Sequence, residues 1–177
     1  GIYGIEDDNE LIRTKIKEII GELEDSKKNL YTDNCILNSV LNIKYSAAQV
    51  ADIKIESNIF VPKYMNIDYG DMGVLFGNLL DNAIEANQGV DRKKRWINVS
   101  VKYEEHILII NIKNSKIRGS RRKKKGYLNH GIGLNSVKQI VEKFNGIVEV
   151  QDFGEMYEVS AILYGICDDK DLGKSVL

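Results

Sequence analysis

Residues Gly77 to Ala86 read Gly-Asn-Leu-Leu-Asp-Asn-Ala-Ile-Glu-Ala, and no other run in the chain restricts its fold as much. At about 100° per residue, Asn78, Asp81, Asn82 and Glu85 share an arc roughly a quarter turn wide on one helix. Met72, Leu75, Phe76, Leu79, Leu80, Ala83 and Ala86 take most of the remaining circumference. Such a helix must be packed on several sides, with only the polar arc open. An ordinary surface face mixes lysine with glutamate. This arc carries only short amides and carboxylates, and neither lysine nor arginine occurs between Asp71 and Asp91. Oxygen-bearing side chains at i and i+4 suit a hard cation such as Mg²⁺; a solvated polar face has the same composition.

A second run bears on that choice. His130-Gly131-Ile132-Gly133-Leu134 opens an apolar-periodic stretch that reaches Phe144. Glycines at the start of a helix let backbone approach an anion, and the free N–H groups of the first turn point at it. Alone, a Gly-x-Gly pair is often only a tight turn. Two strands and a basic loop separate it from the acidic-amide helix, and together the two runs read as a site for Mg²⁺ and a nucleoside triphosphate.

The rest of the chain fills in around them. With 177 residues there is room for one domain and a short appendage. The net charge of −1 leaves no overall nucleic-acid footprint. Cys35 and Cys167 follow neither a metal-like nor a disulfide-framework spacing, which points to free or buried thiols. No apolar run approaches a membrane span and no signal peptide is visible, so a soluble, cytoplasmic chain is expected. It opens on Gly1 without a methionine, as a piece of something longer would.

Ile12, Ile16, Ile19, Ile20 and Leu23 form a helical stripe over Glu6 to Lys28. We expect residues 1–30 to be the stub of a dimerisation helix, residues 31–167 a compact domain, and residues 168–177 a polar tail. Asp33 is a candidate N-cap for a helix to about Ala51 whose inner face is Leu37, Val40, Leu41, Lys44, Ala47, Ala48 and Ala51. A strand over Ile53 to Ile59 precedes the only proline, Pro62, and the acidic-amide helix should span Tyr69 to Asn87. Trp96 to Tyr103 and Ile107 to Lys113 alternate as two strands around Glu104-Glu105. Asn114 to Asn129 reads as a lid or mobile loop with six basic residues between Arg118 and Lys125. A helix from about Gly133 ends at Asn145-Gly146, and Ile147 to Phe153 and Met156 to Tyr164 make a second hairpin. This order predicts an α/β (α+β) two-layer sandwich: a mixed sheet of about five strands with helices on one face.

Asn78-Leu79-Leu80-Asp81-Asn82-Ala83 resembles the N box of the GHKL ATPases, and His130 to Leu134 resembles their second glycine box. That superfamily includes gyrase, large heat-shock chaperones, mismatch-repair ATPases and bacterial histidine kinases. The wording around Glu85, with Leu41-Asn42-Ile43-Lys44-Tyr45 upstream, looks most like the peptide-pheromone receptor kinases of Gram-positive quorum sensing. The resemblance covers residues 34 to 165 and implies the Bergerat-type ATP-binding fold with ATP and Mg²⁺ as cofactors. It makes Asn82 the Mg²⁺ ligand and Asn78 the catalytic residue that helps activate the attacking group. Gly131, Gly133 and the Leu134 amide would cradle phosphates, His130 adjoins them, and Asp81 and Glu85 would act through water. It also implies a membrane-anchored parent, partner helices bearing the acceptor histidine, and a response regulator downstream, with no nucleic-acid partner.

Two departures from that family stand out. The Asp-x-Gly-x-Gly box is absent, and Asn114-Ser115-Lys116 occupies its place. An asparagine carbonyl can accept the adenine amino hydrogen as an aspartate does; Asn114 could equally do no more than end a strand. The phosphoacceptor histidine is also missing, since the chain holds only His106 and His130. Other classes remain open on sequence: a non-catalytic module gated by nucleotide, and a serine kinase of the anti-sigma-factor type.

Overall fold

The computed structural model describes residues 14–15, 29–119 and 130–172, without the side chains of residues 130–132 and 171–172. The chain divides into two units, residues 1–30 and 31–177. In the first, Thr14 and Lys15 are helical; the rest of the expected Glu6–Lys28 stripe lies outside the described residues. So do residues 120–129 of the basic loop and the tail beyond residue 172.

The second unit runs α1 (Cys35–Val50), β1 (Lys54–Phe60), α2 (Tyr69–Asn87), a 3₁₀ turn (Arg92–Lys94), β2 (Trp96–Glu104), β3 (Ile107–Ser115), α3 (His130–Lys143), β4 (Ile147–Asp152), β5 (Met156–Tyr164) and a short α4 (Asp169–Leu172). The strands form one sheet in the order β1-β2-β3-β5-β4. β1 lies parallel to β2, because α2 crosses between them, and the other neighbours are antiparallel. Ile97, Val99 and Val101 of β2, Leu108, Ile110 and Ile112 of β3, and Val159, Ala161 and Leu163 of β5 are all buried. Residues between them, such as Asn98, Ser100, Asn111 and Ser160, are less buried. That alternation makes a sheet covered by helices on one face and polar on the other.

α2 is the central helix, packed between α1 and α3 and over β3. Met72, Leu75, Phe76, Leu79, Leu80 and Ala83 are each at most 2 % exposed. At about 1.5–3 kcal/mol for each large side chain removed from water, these residues hold the polar arc rigidly. Asp68 caps the helix, accepting from the Gly70 and Asp71 amides at 2.8 and 3.2 Å.

α1 departs from its sequence reading in two ways. Its N-cap is Asn34, not Asp33. Asn34 accepts from the Leu37 amide (3.1 Å) and donates to the Lys63 carbonyl (3.1 Å), and a carboxylate could not donate. The inner face is Leu37, Leu41, Tyr45 and Ala48, whereas Ala47 is exposed. Tyr45 stacks edge-on against Tyr31, and burial pushes its hydroxyl up to about 12, opposed by the nearby Ser57 side chain.

Three boundaries also move. Asn114 and Ser115 belong to β3, because both are buried and remain in register with β5. Asp168 bridges to Met65 and leads into α4 instead of starting an unstructured tail. α3 begins at His130, three residues before the sequence suggests. Its far end is a Schellman turn: the Gly146 amide donates to Val141 and the Asn145 amide to Glu142. Asn145 takes the left-handed position at φ 50°. Gly146 is needed for space instead, since a Cβ there would stand 2.1 Å from the Ile162 carbonyl oxygen.

A buried amide joins this frame to the site. Asn87, fully buried, accepts from the Ser115 hydroxyl (2.6 Å) and the Trp96 amide (3.2 Å) and donates to the Ala83 carbonyl (2.9 Å). Asn87→Ala should cost about 2–3 kcal/mol by stranding buried groups. Urea unfolding should show it as a lower midpoint at unchanged slope.

Candidate functional site: the polar arc of α2 and the start of α3

α3 runs antiparallel to α2. Lys143 near its C-terminus pairs with Asp71 near the start of α2 at 2.8 Å. At its other end, a Cβ placed on Gly133 would lie 3.6 Å from the Asn78 side chain. The two sequence runs singled out above therefore meet, and the first turn of α3 continues past Asn78 in the direction of Asn82.

That turn carries the backbone donors that the helix itself leaves unused. In a helix starting at His130 the amides without an intrahelical acceptor are those of the first turn, residues 130–132. Their partial positive charge adds to the helix dipole. The expected role of the Leu134 amide changes accordingly, because its N–H falls within the helical ladder. Gly133 contributes space beside Asn78 in place of a free donor. The His130 and Gly131 backbones open the turn; the His130 side chain lies outside the described set.

On α2 the four arc residues differ. Asn78 and Asn82 are half-buried, and Asp81 and Glu85 are exposed. Nδ2 of Asn82 is buried with no hydrogen-bond partner. The fold therefore makes no use of this amide's donors, which is uncommon for a buried polar atom. Asp81 is already engaged: both its oxygens accept from Lys44 Nζ, at 2.7 and 2.9 Å.

Asn114 sits in the inward-facing register, paired with Ile97 on β2 and Tyr157 on β5, and is 2 % exposed. Its Nδ2 donates to the Ser115 carbonyl (3.0 Å), which orients Oδ1 as the acceptor of the amide. It is thus an inward polar residue on the helix-covered face of the sheet, not merely a strand terminus.

Just beyond, Lys116 Nζ pairs with Asp152 on the β4–β5 hairpin, and the Lys116 amide donates to the Glu155 carbonyl. The lysine hydrogen bond, then the Gly154 amide, hold the Asp152 carboxyl below its usual range. That contribution to stability is present above the ordinary carboxylate pKa and fades as pH falls through the lowered one. Sequence reading missed Asn87 and Lys116 as organising residues, and gave Lys44 only as an inner-face position of α1. Asn87 left a trace, because it lies half a turn away from the arc, among apolar positions.

A family model described as a GHKL domain matches residues 67–163, more than half of the chain. The chain belongs to the GHKL domain family. A probable C4-dicarboxylate sensor kinase of Bacillus subtilis (strain 168) is 32 % identical over 95 residues, 48 % of this chain and 18 % of that protein. The chain thus spans less than a fifth of the curated relative it matches. Among solved structures, the catalytic domain of histidine kinase ThkA superposes with a TM-score of 0.58 at 15 % identity, covering 75 % of this chain and 91 % of that one. The mycobacterial sensor histidine kinase MprB gives 0.57 at 19 % identity, covering 73 % and 93 %. Full-length ShkA in complex with AMPPNP gives 0.58 at 14 % identity, covering 79 % and 32 %. At such identities the likeness is one of fold, and it extends over nearly the whole of the ThkA catalytic domain and of the MprB chain.

Proposed function

We propose that this GHKL domain is the ATP-binding catalytic part of a two-component sensor histidine kinase. It transfers the γ-phosphoryl group to a histidine on helices outside residues 31–172. The observation that carries the reading is the meeting of Asn78 with Gly133, which sets an oxygen-rich arc beside the free amides of a helix N-terminus. Phosphoryl transfer needs chiefly positioning and charge stabilisation, and those are what amides, a helix N-terminus and a metal ion supply. No observation favours the nucleotide-gated module or the serine kinase over this reading.

The residues present fit Mg²⁺. A hard cation shared with phosphates takes one or two protein oxygens and keeps waters, and the side-chain carbonyl of the half-buried Asn82 is one such oxygen on the arc, while its unpaired Nδ2 suits a phosphate oxygen. When bound, the ion would offset triphosphate charge; Asn78 would orient the attacking group, and Glu85 would order water beside it. The inward Asn114 would accept from the adenine amino group. The motif wording, with Leu41 to Tyr45 on α1, supports a receptor of the peptide-pheromone type, membrane-anchored in the parent and paired with a response regulator. The helices of the described residues include none long and apolar enough to cross a membrane.

Calorimetric titration tests the assignment. Asn82→Ala should lose most of the difference in ATP affinity between Mg²⁺ and chelator, about tenfold or more, since loss of even an outer-shell partner costs that much at metal sites. Asn114→Ala should weaken ATP and narrow its margin over GTP. Unaltered titrations for both variants would remove the site from α2 and β3.

A further inference from the structure

Lys44 is the only charged residue of α1. Its side chain, 24 % exposed, reaches across to α2 and gives its ammonium to both oxygens of Asp81. The stem passes beside Gly77, where a Cβ would lie 3.9 Å from the lysine Cε. From Tyr69 to Asn87, α2 carries Asp71, Asp81 and Glu85 and no basic residue. A separate helix therefore supplies the cation that meets the acidic arc.

A half-exposed ion pair contributes little to stability, about 0–1 kcal/mol, so stability is a weak reason to place it there. Its location supplies a stronger one. Asp81 stands one turn from Asn78 and beside Asn82, on the arc whose Asn78 meets the start of α3. Without Lys44, its carboxylate would be a full negative charge next to a polyanion, free to rotate toward it. With Lys44, it is neutralised and turned to α1.

We propose that Lys44 is a positioning residue for the nucleotide: it neutralises Asp81 and holds it away from the phosphates, so that Asn78 and Asn82 face them alone. This rests on the nucleotide reading above and assigns its charge balance to a residue outside both motifs.

The 177-residue chain is titrated calorimetrically with Mg²⁺–ATP and with adenosine, as wild type, Lys44→Met, Lys44→Arg, Asp81→Asn and the double variant Lys44→Met/Asp81→Asn. Thermal midpoints are recorded for each. Lys44→Met should weaken ATP about five- to tenfold, the scale of one uncompensated charge near the site in partly aqueous surroundings. It should leave adenosine unchanged, and raising the salt should shrink the loss. Lys44→Arg should keep most of the affinity. The double variant should return to within about twofold of wild type, because the charge that repelled the phosphates is gone. If the double variant is as weak as Lys44→Met, the lysine acts through its packing and the inference is overturned. Wild-type ATP affinity in Lys44→Met overturns it too, leaving the nucleotide site intact. A wild-type chain that binds no ATP overturns the functional reading and this inference with it.

Discussion

Incubated alone with γ-labelled ATP and Mg²⁺, the chain acquires no acid-labile phosphate. A histidine attacks only when its imidazole nitrogen lies about 3–3.5 Å from phosphorus and in line with the leaving oxygen. His106 is at the β2–β3 turn, its Nδ1 3.2 Å from the Ile166 carbonyl oxygen. Asn114 lies near the opposite end of β3, roughly 25 Å away at 3.3 Å per residue. His130 opens α3, so in the site proposed above its own backbone would form the phosphate-facing turn and could not also stand in line on the far side of the γ-phosphorus. Residues 1–30 contain no histidine. Adding a separate fragment of the parent kinase that bears the histidine helices should produce label on that fragment. Asn78→Ala should slow the transfer by about 100-fold, at the lower end of what a positioned acid–base partner contributes. Stable acid-labile label on the chain by itself would mean that the acceptor has been misplaced.

Gly133→Val abolishes most nucleotide binding without unfolding the domain. A methyl at Gly133 would make ordinary contact with Asn78, at 3.6 Å. Gly133→Ala should therefore bind ATP nearly as well and gain up to about 1 kcal/mol of helix stability. Valine adds two carbons beyond that methyl, which must displace the Asn78 amide or fill the approach to the first turn. The loss should be on the order of 100-fold, since charge-assisted hydrogen bonds to phosphate contribute about 1.5–3 kcal/mol each. Titration of both variants against ATP, with thermal midpoints as the control, measures it. Equal affinity for valine and glycine would separate Asn78 from the anion site.

Where the sequence was periodic, the architecture was legible. α2 occupies Tyr69–Asn87 and β5 Met156–Tyr164 as read, because continuous burial on a helix and alternate burial on a strand leave unlike apolar patterns. The element order, the mixed sheet and the single helical face follow from those patterns. Short-range hydrogen bonding was less legible. Asn34 displaced Asp33 as the cap of α1 because its second partner, Lys63, is 29 residues distant. Asn114 and Ser115 looked like loop because they are polar, yet Asn87 and the sheet register bury them. The Asn78–Gly133 encounter could be anticipated from the resemblance. The Lys44–Asp81 pair could not, since nothing in periodicity shows which lysine stem crosses to a neighbouring helix.

The fastening of α3 has a mechanical consequence. Its C-terminal end is tied by Lys143 to Asp71, by the close approach of Gly146 to Ile162, and by the Tyr164 amide to the Phe144 carbonyl. The helix is therefore a cantilever clamped to α2 and β5, with its load point at the glycines. In the site proposed above, an anion at the first turn would load the free end against a fixed support, so the response would stay at the arc and need not shift the sheet. Amide hydrogen exchange should report this as a gradient along α3, slow at Val141 and faster toward Gly131, that flattens when nucleotide binds.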